Sequence, residues 1–80
     1  MLRPTVVHVE SREDYFLYLE FNNGEKKIFD VKPYIKGTFY GQLLEKRYFQ
    51  MVAKNGYSVE WPNGQDICPD SLYYDSKKAE

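Results

Sequence analysis

The chain has 80 residues, enough for one domain and too few for two cores. Hydrophobic residues make up 42% and aromatics 18%, a composition that excludes a disordered chain. Eleven basic against 12 acidic residues leave a net charge of −1, which argues against a general nucleic-acid coat or a membrane-surface protein.

Thr5 to Val9 is β-branched-rich and follows Pro4, which predicts a first strand. Ser11 to Asp14 reads as a polar turn. Tyr15 to Phe21 carries the clearest strand signal: Leu17, Leu19 and Phe21 share one face at period two, and Phe16, Tyr18 and Glu20 share the other. The first face is expected in the core and the second partly covered. Asn22-Asn23-Gly24 then turns the chain into Lys26 to Val31. A two-residue turn places Ile28 opposite Leu19. A three-residue loop with a bulged Gly24 places Phe29 opposite Leu17, and is favoured because Phe29 and Val31 then join the Leu17 face.

Lys32 to Gly37 is a connector broken by Pro33 and Gly37. Thr38 is expected to cap a helix from Phe39 to about Tyr48, with Phe39, Leu43, Leu44 and Tyr48 on one side. Asn55-Gly56 predicts a hairpin joining Phe49–Lys54 to Tyr57–Trp61, pairing Val52 with Val59 and Gln50 with Trp61. Pro62-Asn63-Gly64 is a further turn, Gln65 to Cys68 a short edge strand, and Asp70 to Tyr74 one helical turn started by Pro69. The fold class is therefore α+β, with antiparallel hairpins on one main helix and a short C-terminal helical turn. The domain is expected over 1–75 and a frayed polar tail over 76–80. The expected core is Leu17, Leu19, Phe21, Phe29, Leu43, Val52 and Val59.

Catalytic chemistry finds little support in these residues. A nucleophilic Cys68 with His8 as base lacks a nucleophile elbow or glycine-rich oxyanion segment, and structural zinc takes four Cys or His ligands where the sequence has two. No enzyme, cofactor or metal is expected. The start, Met1-Leu2-Arg3-Pro4, is followed by no apolar signal core, and no apolar run approaches the roughly 20 residues of a membrane span. A cytoplasmic protein with no membrane contact is the expectation.

Two features point to binding instead. Residues 31–56 carry five basic side chains and one acidic, and interleave Lys32, Lys36, Lys46, Arg47 and Lys54 with Tyr34, Tyr40 and Tyr48. Such a pattern can hold single-stranded nucleic acid, although a solvated face is its commoner meaning. The eight tyrosines exceed what a small core needs, and tyrosine and tryptophan concentrate at interface hot spots. The segment from Trp61 to Tyr74 is the expected partner surface, with Trp61 and Tyr73 as aromatic anchors and Asp66 and Asp70 as a charged rim.

Asp14-Tyr15-Phe16-Leu17, Phe21-Asn22-Asn23-Gly24-Glu25, Phe29-Asp30-Val31, Trp61-Pro62-Asn63-Gly64-Gln65-Asp66-Ile67 and Leu72-Tyr73, in that order, resemble an uncharacterised prokaryotic family, domain of unknown function 2442. The resemblance runs from Pro4 to Tyr73. It implies a small α+β fold and a bacterial protein encoded beside another short protein, in an arrangement similar to a toxin–antitoxin module with this protein in the antitoxin-like role. A small protein partner encoded nearby is thus the first expectation. A regulatory domain touching nucleic acid through 31–56 is the alternative, and a homodimer is left open.

Overall fold

Period-two alternation sets the first half of the molecule. In the computed structural model, which describes residues 4–56 and 58–79, β1 (Val6–Arg12), β2 (Phe16–Phe21) and β3 (Lys26–Asp30) form an antiparallel meander. Met1 to Arg3 and Tyr57, expected from sequence within the domain, and Glu80, expected in the tail, lie outside the described residues. Leu17, Leu19 and Phe21 are buried while Phe16, Tyr18 and Glu20 on the opposite face are half-buried. β1 begins inside the same face at Val6, and its register against β2 slips between Val6 and His8. Val7 is the extra residue of that bulge, which lets Val6 and Val9 both turn inward despite their odd spacing.

The favoured hairpin register is the observed one, with Leu17 opposite Phe29. Gly24 N–H donates to the Phe21 carbonyl and Phe21 N–H to the Glu25 carbonyl, both at 2.9 Å, with Gly24 at φ +89°. A side chain there would be strained, so the loop requires its glycine. The same device recurs at Trp61-Pro62-Asn63-Gly64-Gln65. There Gly64 N–H donates to Trp61 and Trp61 N–H to Gln65, again both at 2.9 Å, with Gly64 at φ +99°.

The expected helix over 39–48 forms in pieces. After a 3-10 turn at Lys32–Tyr34 come α1 (Gly37–Gly41), a 3-10 turn at Gln42–Leu44 and α2 (Lys46–Phe49). Glu45 breaks the run with ψ 117°, and its carboxylate accepts the Arg47 N–H at 3.1 Å. Two glycines weaken the upstream turn, and the side chain of Glu45 offers the backbone a competing acceptor. Thr38 lies inside α1 and caps nothing. Of the predicted face, Leu43 is buried, whereas Phe39 and Leu44 are half or more exposed.

Phe49 ends α2 instead of starting a strand, and its carbonyl takes the Trp61 indole N–H at 3.0 Å. The second sheet is β4 (Ala53–Asn55), β5 (Ser58–Glu60) and β6 (Asp66–Ile67), with β6 at an edge. Lys54, not Val52, stands opposite Val59, and Asn55 opposite Ser58. Val52 is accordingly only half-buried at the margin of the core. α3 (Pro69–Tyr74) follows, and β7 (Lys77–Lys78) pairs with Lys27 and Ile28 on β3. Residues 76–79 of the expected tail carry hydrogen bonds, with Ser76 Oγ donating to the Tyr73 carbonyl and Ala79 N–H to Lys26, both at 3.0 Å. Leu17, Leu19, Phe29, Leu43, Val59, Trp61 and Leu72 are all at most 1% exposed and fill the space between the two sheets and the helical segments. Among the described residues no helix is long and apolar enough to cross a membrane.

Candidate functional site

The hydroxyls of six tyrosines are spent inside the molecule. Tyr34 donates to Asp75 at 2.9 Å, Tyr40 to the Asp66 carbonyl at 3.1 Å and Tyr48 to Gln65 at 2.6 Å. These three lie on the basic 31–56 segment and tie it to residues 65–75. Tyr15 donates to the Leu44 carbonyl, Tyr18 to Glu20 and Tyr73 to Glu25. The aromatic half of the expected nucleic-acid platform is therefore a set of structural clamps. Burial and then the Asp75 hydrogen bond raise the Tyr34 phenol above its ordinary value.

The four residues expected at the partner surface separate. Trp61 is 1% exposed, bonded to Phe49, and its ring lies 5.7 Å from that of Phe49. It offers no surface to a partner and belongs to the core. Asp66 is exposed on β6. The Trp61–Gln65 pair is hydrogen-bonded, so alternation points the backbone groups of Asp66 to the open edge, where Tyr40 already takes the carbonyl. That contact narrows the strand edge available for pairing. Asp70 is exposed in the first turn of α3. Tyr73 is half-buried, with Lys27 Nζ 4.0 Å from its ring centroid and donating to its carbonyl at 2.9 Å.

Sequence reasoning missed Tyr74, because its neighbour Tyr73 is equally eligible by residue type. Phe21, Tyr73 and Tyr74 form an edge-to-face run with centroid separations of 5.2 and 5.1 Å. It leads from the buried face of β2 to a ring that is 68% exposed. The glutamate that anchors Tyr73 is shifted as that geometry requires. Its hydrogen bonds from Tyr73 and then Asn23 hold the Glu25 carboxyl below the ordinary range, and the same bond raises the Tyr73 phenol.

The outward face of the first sheet carries a network of ion pairs and cation–ring contacts. His8 and Arg12 flank Glu10 at 2.8 and 3.2 Å, and Arg12 lies 4.7 Å from the Tyr18 ring centroid. Lys32 meets Asp30 at 3.1 Å and Asp14 at 3.5 Å beneath Phe16. Burial lowers the lysine's pKa, but the paired carboxylates outweigh it and the net shift is upward. Asp14 and Tyr15 both have positive φ, 64° and 65°, each costing about 1–3 kcal/mol. Hydrogen bonds fix this turn: Val31 N–H donates to Tyr15 at 3.0 Å and Lys32 to the Asp14 carbonyl at 2.8 Å. His8 is bonded to Glu10 on β1, while Cys68 is exposed just before α3. No group of three potential metal ligands occurs among the described residues.

The protein belongs to the family described as protein of unknown function (DUF2442), which it matches over residues 6–78. No curated protein and no solved structure matches it.

Proposed function

We propose that the protein is an interaction domain, the antitoxin-like member of a bacterial two-gene module acting in the cytoplasm, and that the α3 face makes the contact. The supporting observation is Tyr74: its ring is 68% exposed yet held edge-on to Tyr73, which is itself held against Phe21. An aromatic fixed before binding loses little freedom when it enters a partner's pocket. Asp70 lies on the same short helix and Asp66 just before it, which gives the anchor an acidic rim. Trp61 has no part in this contact.

The alternative keeps one observation in its favour. Lys36, Lys46, Arg47 and Lys54 are exposed and have no ion-pair partner among the described residues. Its stacking component is weakened because Tyr34, Tyr40 and Tyr48 are half-buried and hydrogen-bonded.

Co-expression with the product of the neighbouring short gene tests the reading. A stoichiometric complex that survives gel filtration is expected. Separate elution, with salt-sensitive binding to single-stranded nucleic acid, would favour the alternative.

A further inference from the structure

Asn23-Gly24, Asn55-Gly56 and Asn63-Gly64 are three steps of one chemistry. In such a step the glycine amide nitrogen attacks the asparagine Cγ. A C–N bond forms to close a succinimide, the Cγ–Nδ2 bond of the carboxamide breaks, and ammonia leaves carrying the amide proton. Water then opens the ring at either carbonyl to give aspartate or isoaspartate. All three steps share a glycine, whose lack of a side chain leaves the nitrogen unhindered, so the fold decides among them.

Two of the nitrogens are held. Gly24 N–H donates to Phe21 and Gly64 N–H to Trp61, both at 2.9 Å. Their asparagines are held as well. The Asn23 carboxamide donates to the Glu25 carboxylate at 2.6 Å and accepts the Glu25 N–H at 3.0 Å. Asn63 donates its backbone N–H to Tyr48 at 2.8 Å and its carboxamide to Gln42 at 3.0 Å. All three steps are exposed, and Gly56 differs in its nitrogen alone: its N–H has no hydrogen-bond partner among the described residues. The Asn55 carboxamide donates to Glu60 across the hairpin.

We propose that Asn55 is the site of spontaneous deamidation in the folded protein, with Asn23 and Asn63 protected by their turns. The product has a structural consequence. Deamidation replaces the donor facing Glu60 with a carboxylate oxygen, so two like charges meet between β4 and β5. Asn55 is also the last ladder residue of β4, opposite Ser58, and isoaspartate would add a methylene to the backbone there. Conversion loosens this hairpin and makes the protein one charge more negative.

The test is peptide mapping by mass spectrometry on the intact protein, incubated at mildly alkaline pH in buffer and, in parallel, in concentrated urea. In buffer, Asn55 is expected to convert at least about ten times faster than the other two, whose turns must open first. In urea the three rates should converge. Equal rates in buffer, a lead at Asn23 or Asn63, or a ranking unchanged by urea would each overturn the proposal.

Discussion

The Tyr48 hydroxyl donates to Gln65 Oε1 at 2.6 Å, and Gln65 is completely buried. Both amide hydrogens of Gln65 are also used, toward the Phe39 carbonyl at 2.8 Å and Gln42 Oε1 at 2.7 Å. The same Tyr48 oxygen accepts the Asn63 N–H at 2.8 Å. One tyrosine thus holds the 39–48 segment onto the hairpin that follows Trp61.

Tyr48→Phe leaves the carbonyl of a buried amide without its donor. The expected cost is about 1–3 kcal/mol, the penalty of an unsatisfied buried acceptor, read from urea melts. A change under about 0.5 kcal/mol would mean that water replaces the hydroxyl and that the clamp is dispensable.

The core assignment makes a larger demand. Leu19 is fully buried on the inner face of β2, so Leu19→Ala should cost about 2–5 kcal/mol in the same assay. Tyr18→Ala, one residue away on the outer face, should cost clearly less. An inverted ranking would reverse the faces of the sheet.

A pH prediction follows from Tyr73 and Glu25. Glu25 has its pKa lowered by folding, so its contribution is present above the ordinary carboxylate value, about 4.3, and fades as pH falls through the folded value. Tyr73 has its pKa raised, so its contribution is complete below about 10 and fades as pH rises through the folded value. The bond between α3 and the β2–β3 loop therefore acts between those limits. The stability difference between the parent and Tyr73→Phe should be greatest near neutral pH and shrink in acid. A difference that stays constant into acid would show that the hydroxyl bonds something other than the ionised carboxylate.

Much of the first sheet is legible in the sequence because side-chain alternation and an Asn-Gly turn specify faces and register together. Leu17, Leu19 and Phe21 are buried as their spacing requires, and Leu17 stands opposite Phe29. The second half is less legible. Tyr15 and Tyr40 reach into it to bond the Leu44 and Asp66 carbonyls, and every residue presents a carbonyl, so no pattern announces these contacts. β7 is hidden for the same reason: two lysines carry no strand signal, and what pairs them with β3 is backbone. Trp61 lies beside a turn, which suggests a surface position. Its indole instead reaches back to Phe49, a partner fixed only once α2 ends there. At the candidate surface, the acidic positions Asp66 and Asp70 are readable as exposed. The choice of Tyr74 over Tyr73 as the accessible ring depends on how α3 rotates against Phe21.

Cys68→Ser and His8→Gln should leave partner binding unchanged, since Cys68 is exposed outside the aromatic run and His8 bonds only Glu10 among the described residues. Loss of binding by either variant with an unchanged circular dichroism spectrum would bring those residues into the site.

The most direct test of the proposed interaction surface is calorimetric titration of the proposed partner, the neighbouring gene's product, into the parent protein and into Tyr74→Ala. Tyr74 is largely exposed, so its removal should leave the urea midpoint nearly unchanged. Affinity is predicted to fall by at least about tenfold, the scale of a lost aromatic hot spot. An affinity within about twofold of the parent, a difference under roughly 0.5 kcal/mol, would contradict the assignment of α3 as the contact face.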